Sequence, residues 1–180
     1  MERKNLWAPW RIGYIKGIAD KAGECFLCRE AAHTDQHGTG LVLLRSRLSI
    51  VVLNRFPYNN GHLLIAPIRH IADLTEATDE EMLDLMHLVR DMQTLLSRAI
   101  SPHGFNVGIN LGRCAGAGLP GHVHVHVVPR WNGDTNFMSV CGDTKLISQS
   151  LTDLLDQLKE AAKTKGWQGS GIGDQGSGGG

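Results

Sequence analysis

His122-Val123-His124-Val125-His126-Val127-Val128 places a histidine at every second position of a valine-rich run. β-branched residues suit a strand, and strand side chains alternate between its two faces. The three histidines therefore share one face. Val123, Val125 and Val127 share the other, which belongs against a core. A merely solvated face has little use for three imidazoles in a row. One metal held by all three is opposed by geometry: His122 and His126 would stand about 13 Å apart, whereas tetrahedral zinc ligands lie about 2 Å from their metal. Adjacent pairs could still share a metal. Nucleophilic catalysis fits the pattern better. Neutral imidazole is a competent nucleophile near pH 7. It can attack phosphorus to give a phosphoramidate, which a second nucleophile opens. The flanking histidines can donate to phosphate oxygens or to the leaving group. Immediately upstream, Gly112-Arg113-Cys114-Ala115-Gly116-Ala117-Gly118-Leu119-Pro120-Gly121 supplies backbone N–H groups that can come close to a phosphate.

Working outward, Leu41–Leu44, Leu48–Leu53 and His62–Ala66 read as short strands. Pro57-Tyr58-Asn59-Asn60-Gly61 is strong turn chemistry and favours an antiparallel connection. Thr78 followed by Glu81 forms a capping-box signature. Met82, Leu85, Met86, Val89, Met92, Leu96 and Ala99 then recur at helical spacing, until Ser101-Pro102-His103-Gly104 stops the helix. Phe105–Leu111 and His122–Val128 are a fourth and fifth strand, and a second amphipathic helix is expected over Leu151–Ala162. Strands grouped around one long helix give an α+β class with an antiparallel sheet of about five strands. The methionines Met82, Met86 and Met92 are expected in the core.

The chain has 180 residues, 42% of them apolar, enough for one folded body. An N-terminal arm at 1–20, carrying the aromatic anchor Trp7-Ala8-Pro9-Trp10, is expected to precede a domain at 21–165; a Gly/Ser-rich tail at 166–180 is expected to be disordered. Lys plus Arg equals Asp plus Glu at 18 each, so nothing draws the chain to nucleic acid at long range, and phosphate must be bound locally. No apolar run is long enough for a membrane span, and Met1–Trp7 lacks the apolar stretch of a signal peptide. A cytoplasmic setting is therefore expected, with the four cysteines as thiols or metal ligands rather than disulfides. Cys25 and Cys28 form a C-x2-C unit, either half of a metal site or two small buried thiols. Cys114 and Cys141 have no such partner. His33, His37, His87 and His103 read as solvated or capping.

The stretch Ala115–Trp131, with its His-φ-His-φ-His-φ-φ pattern (φ apolar), resembles the signature of histidine triad proteins. Leu53-Asn54-Arg55-Phe56-Pro57-Tyr58-Asn59-Asn60-Gly61-His62-Leu63-Leu64-Ile65-Ala66-Pro67 and Gly104–Asn110 resemble the same family. Asn54–His62 and Pro129-Arg130-Trp131-Asn132-Gly133-Asp134-Thr135-Asn136-Phe137 are most similar to its diadenosine polyphosphate phosphorylase and hydrolase branch. The resemblance implies a histidine triad fold, usually dimeric with sheets joined between subunits. It also implies cleavage of a nucleoside polyphosphate at the α-phosphate through a nucleotidyl-histidine.

By position, His124 matches the nucleophile, and His126 and His62 match residues around it. Asn54 matches a ribose contact and Asn110 a residue near the phosphates. Gly116 and Gly118 belong to the phosphate approach. Arg130 could meet phosphate or a partner subunit; Trp131 could stack on a base or pack the C-terminal segment. Fragile histidine triad hydrolases carry glutamine where this chain has Gly118. That departure is compatible with a site admitting inorganic phosphate, and so with phosphorolysis to ATP and ADP. Some members bind zinc through residues matching Cys25, Cys28, His70 and His122; such a closed site would be structural. No organic cofactor is implied. Two other functions use the same sequence features: hydrolysis of dinucleoside polyphosphates or of nucleoside phosphoramidates, and, in another class, non-catalytic nucleotide sensing. An intact middle histidine argues against the sensor.

Overall fold

The structure, a computed structural model, describes residues 25–32, 40–116, 121–134 and 147–163. The expected arm at 1–20, His33, His37, Gly118, Cys141 and the expected tail at 166–180 lie outside the described residues.

Strands β1 (Val42–Arg45), β2 (Ser49–Leu53) and β3 (Leu63–Pro67) fall within a residue of the hydrophobic runs. β2 and β3 pair antiparallel, Ser49 opposite Pro67 and Leu53 opposite Leu63. The turn between them closes on Gly61 at φ +76°, where a Cβ would come 2.7 Å from the Ile100 side chain. Only glycine meets both conditions. The long helix, α2 here (Asp79–Ile100), begins at Thr78 with the capping box formed in both directions. It ends at Ser101 in the left-handed region, φ 47°.

Strands β4 (Gly104–Ile109) and β5 (Val125–Arg130) complete an antiparallel sheet of order β1-β2-β3-β5-β4. This is the α+β architecture expected. One face carries Val51, Leu53, Leu63, Ile65, Val125 and Val127 against α2 and the C-terminal helix α3 (Leu151–Lys163). The other carries Ile50, Val52, Leu64 and Ala66, covered by Leu27 and Phe26 of α1 (Phe26–Ala32). Nothing local in the sequence marks α1. Two turns of helix with Leu27 and Glu30 as the buried residues are too short for a 3.6-residue period to register.

Two expectations are corrected. The methionine stripe is core at Met92, but Met82 and Met86 are 36% and 56% exposed. The buried stripe runs Leu85-Leu88-Val89-Met92-Leu95-Leu96, and Met86, one residue on from Leu85, lies about 100° round the helix from it. The fifth strand starts at Val125, not His122. Its ladder with β3 ends at Ile65 opposite Val125, and the Val123 N–H donates instead to Ile71 O at 2.7 Å. His122–His124 thus run beside the segment after β3 rather than along it. No described helix is long and apolar enough to cross a membrane.

Candidate active site and metal-binding cluster

β5 lies between β3 and β4, so its side chains emerge mid-sheet. His126 stands opposite Leu64 of β3 and Gly108 of β4, on the face away from α2. Gly108 has no side chain to crowd it.

Two of the triad imidazoles, His122 and His124, have their proton position set by a main-chain carbonyl. A carbonyl can only accept. Pro67 O lies 2.9 Å from His122 Nε2 and His122 O lies 2.8 Å from His124 Nδ1. His122 therefore carries its proton on Nε2 and leaves Nδ1 bare. His124 carries its proton on Nδ1 and leaves Nε2 bare. A lone pair on a buried, fixed ring is what a nucleophile needs. Burial lowers the pKa of His124, opposed by its bond to the His122 carbonyl. Burial, then the neighbouring His124, lowers His126 to about 4. Both are neutral at pH 7.

The alternation then divides labour. His122 turns to Cys25 and Cys28, its Nδ1 lying 3.2 Å and 3.5 Å from their sulfurs, and His70 Nδ1 lies 3.1 Å from Cys28 Sγ. The four ligand atoms lie within 4.8 Å of one another. Corners of a tetrahedral thiolate–imidazole site are about 3.3–3.8 Å apart, so only small adjustments separate this cluster from a metal cage. Bare His122 Nδ1 and two thiols are the right donors, and these four residues could hold a metal ion. Cys25 immediately precedes α1 and Cys28 lies in its first turn, which brings both sulfurs to the same two histidines.

His124 and His126 turn elsewhere. Their ring centroids are 4.9 Å apart at 69°. His62 Nε2 lies 2.9 Å from His126 Nδ1, and the Asn110 amide lies 3.4 Å from His126 Nε2. Asn54 reaches His62 Nδ1 at 3.1 Å. The structure thus gathers His62, His124, His126, Asn54 and Asn110. Gly116, at φ +88°, caps a short 3-10 turn, Arg113–Ala115, in the approach to the triad. Arg130 is not gathered in: four residues along the strand, it pairs with both carboxylate oxygens of Asp134 and donates to Asn106 Oδ1 at 2.7 Å. Trp131 Nε1 donates to Ser101 O at 3.1 Å, a bond to the end of α2. His103 Nδ1 accepts from Asn132 N.

Tyr58 and Asp134 were not foreseen. The Tyr58 ring packs on His62 (centroids 4.6 Å apart) and stacks on His126 (5.8 Å, 25°). Its place in Pro57-Tyr58-Asn59, four residues before His62, was the available signal. Asp134 also receives Asn59 Nδ2 at 2.8 Å, while Asn59 Nδ2 donates to Pro129 O, tying the turn to the end of β5. An arginine followed by aspartate across an Asn-Gly turn could have revealed that pair.

A mid-sheet histidine cluster with a cysteine–histidine cage on its flank defines the class: the chain belongs to the HIT domain family, whose model matches residues 37–133. Within that family it is 40% identical over 159 residues to the AP-4-A phosphorylase of Mycobacterium tuberculosis, covering 83% of this chain and 80% of the relative. Among solved structures, a zinc-bound histidine triad family protein from Mycobacterium smegmatis superposes with a TM-score of 0.63 at 23% identity, covering 77% of this chain and 92% of that one. Plasmodium falciparum diadenosine triphosphate hydrolase gives 0.57 at 17% identity, covering 83% and 96%. Those two likenesses are of fold.

Proposed function

We propose that this chain is a nucleotidyl-transferring phosphorylase of dinucleoside polyphosphates, with diadenosine tetraphosphate as its model substrate. The observation that carries the reading is His124, a buried imidazole whose Nδ1–H is engaged by a carbonyl and whose Nε2 is bare. Likeness to a phosphorylase over most of the chain supports the substrate class.

His124 Nε2 attacks the α-phosphorus. The P–O bond to the β-phosphate breaks, ATP leaves, and the adenylyl group remains on Nε2. Inorganic phosphate then attacks the same phosphorus, the P–N bond breaks, and ADP forms. His126 and His62 assist by hydrogen bonding, and Asn110 and the backbone near Gly116 lie by the phosphates. Gly118 supports phosphate as acceptor, because it lacks the glutamine side chain of the hydrolases. Arg130, held by Asp134, and Trp131, held by Ser101 O, serve the binding surface indirectly unless the substrate draws them over. Cys25, Cys28, His70 and His122 hold a structural zinc that fixes the segment carrying His124. A thiolate cage suits a reducing, cytoplasmic setting.

The chain acts as a homodimer. Among the described residues β4 is an edge strand with Asn106, Val107 and Gly108 exposed, and an edge of this kind suits a second copy.

The test is product analysis in phosphate and in a non-phosphate buffer. ATP with ADP, appearing only with phosphate, is expected. ATP with AMP in both buffers would make the chain a hydrolase, and cleavage confined to phosphoramidates would overturn the substrate class.

A further inference from the structure

Asn54 matches a ribose contact by resemblance, yet both ends of its amide are already engaged. Oδ1 accepts the Phe56 N–H at 3.0 Å, and Nδ2 lies 3.1 Å from His62 Nδ1. The Tyr58 N–H reaches the same His62 nitrogen at 3.0 Å. A peptide N–H can only donate, so His62 Nδ1 is a lone pair. The neutral ring then carries its proton on Nε2, which lies 2.9 Å from His126 Nδ1. His126 Nδ1 must accept, so the His126 proton sits on Nε2, the nitrogen beside Asn110. With Nε2 protonated, the favourable Asn110 partner is Oδ1, reached by turning its amide over.

His126 is thus held in the opposite tautomer to His124. The His122 carbonyl strips His124 Nε2 of its proton, and the Tyr58–Asn54 turn, acting through His62, places a proton on His126 Nε2. One ring offers a lone pair and its neighbour, with centroids 4.9 Å away, offers a donor. Displacement at phosphorus needs that combination: an attacking lone pair and a hydrogen-bond donor for the charge on the departing oxygen.

We propose that Asn54 is a positioning residue. With the Tyr58 N–H it locks the tautomer of His62, and through His62 it keeps the His126 proton on Nε2. The catalytic consequence rests on the function proposed above; the tautomers belong to the resting protein and can be read without substrate.

Long-range 1H–15N spectra of the histidine rings distinguish the two tautomers. In the parent, His62 and His126 should be protonated on Nε2 and His124 on Nδ1. Asn54→Asp replaces the donor by a carboxylate, which only accepts, so His62 Nδ1 should gain a proton. The kcat for diadenosine tetraphosphate should fall about tenfold, with KM within about threefold. Asn54→Ala leaves the Tyr58 N–H in place. With one of the two donors gone, the parental tautomers should still predominate but with a detectable Nδ1-protonated share of His62, and kcat should fall about threefold; a His62 population identical to the parent's would overturn the role of Asn54. Two further results overturn the proposal: a parent His126 protonated on Nδ1, or an Asn54→Asp protein with His62 Nδ1 still bare. So does a rise in KM alone in both variants, the behaviour of a ribose contact. If Asn54→Asp does not fold, the parent spectra and Asn54→Ala decide. A parent that turns over no dinucleoside polyphosphate would sink the proposed function and leave the tautomer assignment to be judged by the spectra.

Discussion

Replacing Glu81 by glutamine tests how the turn behind the metal-binding cluster is held. Glu81 Oε1 accepts from Arg69 Nε at 3.0 Å, and Oε2 accepts from Arg69 at 2.7 Å and from the Thr78 N–H at 2.8 Å. Arg69 lies between Pro67, whose carbonyl sets the His122 tautomer, and His70, a cluster member. The Arg69 hydrogen bond is the main reason the Glu81 carboxyl is held at about 2, below its ordinary 4.5. A shift of that size corresponds to at most about 3 kcal/mol at pH 7. The carboxylate is covered, but the Arg69 side chain is 49% exposed, and solvent screening brings the expected loss to about 1–2 kcal/mol. For a domain of this size that is a fall in Tm of roughly 3–6 °C. Glutamine preserves the shape but faces three donors with one acceptor.

The sign of the pH dependence follows from a depressed carboxyl. Its stabilisation is complete above the unfolded value of about 4.5 and disappears as pH falls toward about 2. The gap between Glu81→Gln and parent should therefore be widest at pH 7 and shrink by more than half by about pH 3. Thermal melts of both proteins, stripped of metal so that ligand protonation does not enter, measure this. A variant melting within about 1 °C of the parent at pH 7, or a gap constant across that range, would refute the reasoning.

His124→Ala should remove turnover by several powers of ten while nucleotide binding persists, because the other contacts to the phosphates do not depend on the nucleophile; near-native rates would exclude the covalent route. Because burial lowers the pKa of His124 and His126, the latter to about 4, kcat/KM should stay level as pH drops through 6.5 and fall only below it. A pH–rate profile with its acid midpoint at or above 6.5 would contradict a neutral, buried nucleophile. Elemental analysis should find about one zinc per chain, with chelation lowering the melting temperature; metal-free protein of unchanged stability would return Cys25 and Cys28 to ordinary thiols. Light scattering at micromolar concentration should report a dimer, and monomer alone would count against pairing through β4.

Much of this protein is legible in its sequence because the signals are local. A period of two over His122–Val128, a capping box at Thr78 and Glu81, and turn residues at Pro57–Gly61 each depend on neighbours a few positions away. Those features were enough for the five strands, the long helix and the α+β class. Grouping Cys25, Cys28, His70 and His122 came from family resemblance, and the fold brings their ligand atoms together from the start of α1 and the residue before it, the turn after β3 and the start of the triad.

Other features depend on contacts between distant segments, and no local pattern encodes those. Where β5 begins was decided by Ile71 O, which draws the Val123 N–H off the ladder. Whether Met82 and Met86 were core was decided by which arc of α2 meets the sheet. The proton on each imidazole was decided by Pro67 O, His122 O and the Tyr58 N–H, because a ring with two equivalent-looking nitrogens takes its tautomer from its hydrogen-bond partners. The sequence by itself determined that three histidines alternate with valines at one place in the chain, of which only His126 stands on the strand. The folded backbone decided that one of them turns to the thiols, one keeps a bare Nε2, and one carries its proton beside it.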